Sequence, residues 1–209
     1  MRYITKIDPR LKIDNILGSQ IVPQIVYLVG DISEDSAAQA RRDLEDAESS
    51  ALTTGQKVIP LVIDSDGGCV YALFSIFDAI DACKLPIATI VEGKAFSAAA
   101  ALFTAGTEGY RYIGPNATIM IHDIISIPPS GKTGEIKVDA KETERLNEAM
   151  LERMSKNCGH KKDYFSKAVH HLGHSDWYLD AKECKQRNIA NHIRIPCMTL
   201  EIKMTHRFN

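Results

Sequence analysis

Apolar positions in the first half of the chain fall into short unbroken runs separated by spaced stripes. "QIVYLVG", Gln24 to Gly30, is one such run and predicts a buried strand. The stretch after it, "SEDSAAQARRDLEDAESSAL", predicts a helix whose first turn carries acidic residues at the positive end of the helix dipole. "VIPLVID", Val58 to Asp64, is too short for a helix and rich in β-branched residues, so it predicts a central parallel strand closed by the turn "SDGG". From there apolar residues recur at Val70, Leu73, Ile76, Phe77, Ile80 and Cys83, the spacing of a helix with one buried stripe. Pro86 ends the connection and "IATIVEG" returns as a strand. Strand, helix, strand at this length implies a right-handed crossover and an α/β fold.

In "VEGKAFSAAAALFTAG", Val91 to Gly106, an extended apolar run gives way at Ser97 to small residues that favour a helix. "GYRYI", a turn at "GPNA" and "TIMIH", Thr118 to His122, follow. The remainder predicts helices over Glu135 to about Lys156, Asp163 to about His171 and Ala181 to Arg187, with a short strand near Ile193.

Composition narrows the class. A chain of 209 residues, 44% of them hydrophobic, can bury a substantial core in one domain with a small appendage. Its 25 basic and 27 acidic residues argue against a nucleic-acid partner. The five cysteines, at 69, 83, 158, 184 and 197, include no CxxC pair and suggest a reducing compartment. The N-terminus is too charged for a signal peptide, and no segment approaches the roughly 20 apolar residues that span a bilayer. A soluble, cytoplasmic protein is expected.

Three features stand where open α/β folds gather chemistry, just beyond the carboxyl ends of strands: Gly67-Gly68, Ser97 and His122. Serine and histidine that meet in space act as nucleophile and general base. Two glycines leave a backbone N–H open to approach, and Ala98, opening a helix, offers another. Small neighbours at Ala95, Ala98, Ala99 and Ala100 keep the hydroxyl accessible. Taken singly, such a serine is commonly an N-cap, such a histidine a buried strand end and such a glycine pair a turn.

Order and spacing add more. "IDSDGGCVYALFSIFDAI", "GKAFSAAAALFTAG", "RYIGPNATIMIH" and "SDWYLDAKECKQRNIAN" together resemble the Clp protease proteolytic subunit family, ClpP, over about Val26 to Ile193. The resemblance implies a crotonase/ClpP-like α/β spiral of βαβ units with a protruding handle at about 123–157, an N-terminal segment at 1–20 and one peptidase domain at 21–209. It implies a serine peptidase with Ser97 as nucleophile, His122 as base, and the N–H groups of Gly68 and Ala98 as oxyanion hole. Self-assembly into heptameric rings stacked in pairs, and gating by a partner AAA+ ATPase that consumes ATP, are implied as well. The subunit itself would need no cofactor or metal.

The chain departs from that family at several places. The family's third catalytic residue, an aspartate four positions before the Asp of "SDWYL", is Leu172 here. Leucine accepts no imidazole N–H, and losing the orienting carboxylate costs about 10⁴ in rate in the serine-protease template. Asp176 is the nearest substitute, with Asp123, Asp163, Asp180 or a backbone carbonyl as others. His170, His171, His174 and Cys158, with His170 and His174 spaced i, i+4, suggest a metal only if another ligand at a recognised spacing joins them, so a solvated helix face is the expectation. Pro128 and Pro129 interrupt the strand expected after His122, the first twenty residues match the family's axial loop poorly, and Asp66 replaces a common proline beside the glycine pair.

Two alternatives accompany the peptidase reading. Leu172 favours a catalytically silent structural ring subunit, against which stand the retained Ser97 and His122. Coenzyme A chemistry on the same fold would need paired glutamates at the strand ends, which the sequence lacks.

Overall fold

In the computed structural model, which describes residues 2–7, 23–125 and 131–202, the unbroken apolar runs become the interior of a parallel sheet. β1 (Arg2–Ile7) stands apart and pairs in parallel with β9 (Cys197–Ile202). The main sheet opens with β2 (Val26–Val29), followed by helix α1 (Glu34–Thr54) and β3 (Ile59–Ser65). Helix α2 (Val70–Ala82) leads to β4 (Ile87–Phe96), and helix α3 (Ala98–Thr104) to β5 (Arg111–Ile113). β6 (Thr118–Ile121), α4 (Thr133–Asn157), α5 (Tyr164–His171), β7 (Trp177–Leu179), α6 (Ala181–Gln186) and β8 (His192–Ile193) complete the chain.

The strand order β2-β3-β4-β5-β8 runs in parallel, with β6 branching from β4 and β7 antiparallel to β6. The branch arises within β4. Thr89 to Val91 pair with β5, whereas Lys94 to Phe96 pair with β6. Helix α1 is held by Ser33, whose side chain accepts from the Ser36 N–H, and by a left-handed Gly55 at its end. Its buried stripe, Ala37, Ala40, Leu44, Ala47 and Ala51, packs on the sheet with that of α2, Ala72, Leu73, Ile76, Phe77 and Ile80. All seven residues of α3 are buried. The small alanines let this helix lie close to β3 and β4, and burial of Leu102 and Phe103 stabilises it by about 2–3 kcal/mol each.

Helix α4 is buried only along its second half, through Leu146, Met150, Leu151 and Met154, while residues 131–141 are exposed throughout. Three differences have simple causes. β4 continues through Gly93 to Phe96 because its end finds β6 as a second partner. β7 forms in a stretch expected to be mostly helical because "WYL" borrows its hydrogen bonds from β6, and β9 forms likewise against β1. Arg2–Ile7, assigned to a separate N-terminal segment, lies in that strand pair; residues 8–20, and the proline interruption at Pro128 and Pro129, fall outside the described residues.

Candidate active site

The carboxyl ends of β3, β4 and β6 converge on Ser97. Its backbone φ of 56° and ψ of −122° is a conformation that side chains other than glycine seldom adopt, and it costs about 1–3 kcal/mol. The strain turns the chain sharply from β4 into α3. Ser97 heads the helix but its hydroxyl does not cap it, so the bland N-cap explanation fails for this serine. Its N–H donates to the Met120 carbonyl at 2.8 Å, which extends the β4–β6 pairing one residue past Phe96↔Met120. His122 follows β6 directly, so Ser97 and His122 leave adjacent parallel strands one residue out of step. His122 is buried, Ser97 half-buried, and among the described residues neither Ser97 Oγ nor the His122 ring makes a hydrogen bond.

The glycine pair sits beside this serine for steric reasons. A Cβ on Gly67, whose φ is +98°, would lie 2.6 Å from the Phe96 carbonyl oxygen and 2.8 Å from Ser97 Cβ. A Cβ on Gly68 (φ +145°) would fall 2.2 Å from the Ile32 oxygen. Only glycine lets the two segments approach so closely. The turn is held by Ser65 Oγ, which accepts the Gly67 N–H at 3.0 Å, and by a parallel bridge to Ile32. In that bridge Ile32 N–H donates to the Gly67 carbonyl and Cys69 N–H to the Ile32 carbonyl, both at 2.7 Å. The Gly68 N–H therefore points away from Ile32, and Gly68 is exposed. The Ala98 N–H, at the first turn of α3, has no carbonyl four residues back within the helix.

The candidate third residues separate clearly. Leu172 caps the end of α5 and is 42% exposed, with no group to offer a histidine. Asp176 precedes β7, and the antiparallel register ends with Ile121 opposite Trp177, so His122 and Asp176 are the residues that leave that last pair on either side. Asp176 is exposed and makes no hydrogen bond among the described residues.

Asp123 is committed elsewhere: Oδ2 meets His174 Nδ1 at 2.5 Å and Oδ1 accepts from Asn147 Nδ2 at 2.7 Å, while Asn147 Oδ1 accepts the Ile124 N–H. Asp163 pairs with Lys167 on α5, and Asp180 caps α6 through the Glu183 N–H. His174 does not continue the helix face of His170. It lies past the end of α5 with φ +60°, bonded to Asp123, and among the described residues no three His, Cys, Asp or Glu side chains gather as a metal site. No described helix is long and apolar enough to cross a membrane.

Two cavities of about 550 and 710 Å³ lie away from Ser97, one beside Glu92, Gly114 and Ile195, the other beside His160, Tyr164 and Lys167. Missed in the sequence was the pair formed at 2.6 Å between Lys94 Nζ and Asp66 Oδ2 on the rim of the glycine turn. A lysine on β4 and an acidic turn residue 28 positions earlier carry no local signal of their meeting.

The parallel α/β fold thus sets a strained serine at a strand-to-helix turn and a histidine at the next strand's end. The chain belongs to the Clp protease family, whose model matches residues 11–195. It is 29% identical to the ATP-dependent Clp protease proteolytic subunit 1 of Rhodopirellula baltica, over 81% of this chain and 71% of that protein. To the subunit of the same name from Bifidobacterium longum it is 27% identical, over 92% of this chain and 79% of that protein.

Proposed function

We propose that this chain is a serine endopeptidase, the proteolytic subunit of a self-compartmentalised Clp-type protease that cleaves unfolded polypeptides and peptides. The observation that carries the reading is strained Ser97, its hydroxyl without a hydrogen bond among the described residues, one register step from His122. Ser97 Oγ attacks the scissile carbonyl carbon while His122 takes the hydroxyl proton, and the carbonyl oxygen becomes an oxyanion at the N–H groups of Gly68 and Ala98. His122 then gives that proton to the departing amine, leaving an acyl-enzyme on Ser97. Water, giving a proton to His122, hydrolyses the acyl-enzyme and restores Ser97.

Asp176 accepts the second imidazole N–H in place of the absent carboxylate at 172; its support is its place just beyond the last pair of the β6–β7 register, Ile121 with Trp177, and its exposed carboxylate, unpaired among the described residues. Assembly into stacked heptameric rings gated by an AAA+ ATPase, which would hold the ATP, accords with family membership and with the exposed first half of α4. A second reading, a silent structural ring subunit, draws on Leu172 alone.

The test is modification by a fluorophosphonate probe, which reports an activated serine without a matched substrate or ATPase. Labelling lost in both Ser97→Ala and His122→Ala is the expected result, and Asp176→Asn slows it by at least about tenfold. An assembled wild type that takes no label overturns the peptidase reading and leaves the structural subunit.

A further inference from the structure

Asp66 occupies the turn between Ser65 and Gly67, and by chain geometry its Cα lies within about 7 Å of that of Gly68. That is less than the screening length of about 8 Å at physiological ionic strength, so a bare charge there acts on the Gly68 amide. A carboxylate beside an amide that must hold an oxyanion works against catalysis. Lys94 Nζ donates to Asp66 Oδ2 at 2.6 Å, and the ammonium also lies 5.8 Å from the centre of the Phe96 ring. The backbone brings them together: Ser65 pairs with Ala95, so Asp66 and Lys94 flank one rung of the β3–β4 ladder.

We propose that Lys94 is an electrostatic positioning residue of the active site, which cancels the Asp66 charge next to the Gly68 N–H so that an oxyanion can form there. The inference rests on the reading of Ser97 as nucleophile. With side chains 40% and 58% exposed, the pair adds little to folding stability, so its value lies in the field at the turn. The hydrogen bond to Asp66, followed by the charges of Asp66, Asp64 and Asp31, holds the Lys94 ammonium above the ordinary lysine range. The lysine thus remains cationic wherever a serine–histidine pair operates.

The experiment compares second-order rates of fluorophosphonate modification, at low and high salt, for wild type, Lys94→Gln, Asp66→Asn, the double variant and the charge swap Lys94→Asp/Asp66→Lys, with a melting temperature for each. Lys94→Gln is expected to slow modification about tenfold, within the about threefold to fiftyfold that one charge at 7 Å exerts in water-like and surface-like dielectrics. Its melting temperature stays unchanged, and added salt recovers part of the rate. Asp66→Asn reacts at least as fast as wild type, and both double variants return to within about twofold of it. A lysine variant as fast as wild type, or a deficit that persists in the double variant, overturns the role of Lys94 while leaving Ser97 as nucleophile. A wild type without label overturns the reading of Ser97 and this inference with it.

Discussion

The two edges of the main sheet treat polar groups in opposite ways. At the amino end of β5, Arg111 is 1% exposed and spends all five guanidinium donors. Nε donates to the Ile189 carbonyl, one terminal nitrogen to the carbonyls of Gly106 and Asn157, and the other to Glu108 Oε2 and the Asn188 carbonyl. Asn191 locks the same node, its Oδ1 accepting from the N–H groups of Gly109 and Arg111. At the carboxyl ends of β3 and β4, in contrast, Ser97 is strained, its hydroxyl and the His122 ring make no hydrogen bond among the described residues, and Gly68 directs its N–H away from Ile32. One edge is saturated and holds the fold. The other is left unsatisfied, which a reacting group needs, and its strain is borne by a buried α3 and a rigid sheet.

Substitutions should separate the two edges cleanly. The largest stability effect is expected for Arg111→Met, which removes the donor from four backbone carbonyls and from the Glu108 carboxylate; denaturant unfolding should show a loss of about 3–5 kcal/mol. Equal losses from Ser97→Ala would contradict the contrast. Gly68→Ala drives a methyl into the Ile32 carbonyl and displaces the outward N–H. Peptide turnover should fall by about 10²–10³, far more than the change in unfolding free energy accounts for. Asn191→Ala, which uncouples two backbone donors, should cost about 1–3 kcal/mol without altering probe labelling at saturating time.

Ser97→Gly releases the positive-φ strain and should raise stability by about 1 kcal/mol while abolishing activity. A melting temperature that falls instead would show that the serine is not strained at a cost to the fold.

The smallest effect is invisible at neutral pH. Burial pushes the thiols of Cys158 and Cys184 up to about 12. Their folded values exceed the unfolded ones, so the stability they contribute is fully present below about 9 and is lost as pH rises towards about 12. Alkaline unfolding should be blunted in Cys158→Ala. In the native protein, a thiol reagent should modify exposed Cys69 at once and the two buried thiols only as the chain unfolds.

Much of this was legible in the sequence. Runs and stripes marked β2, β3, β4, α1 and α2 to within a few residues, because a strand between helices is apolar throughout and a helix on a sheet is apolar every third or fourth position. Gly67, Gly68, Ser97 and His122 were marked too, because each sits at a place where a run breaks. β7 was not, since three residues have no period, and neither was the bond between His174 and Asp123.

What the sequence determined by itself is the order of elements and the residues capable of chemistry, both of which depend on neighbours a few positions apart. Tertiary structure alone decided that β4 splits between β5 and β6, that β6 and β7 pair as far as Ile121 and Trp177 while Asp123 is taken by His174, that Lys94 meets Asp66 and that Arg111 is fully bonded. Those pairings join residues tens of positions apart, and no periodicity records them. They are chosen when whole strands find the register that buries their apolar faces and satisfies their backbone groups.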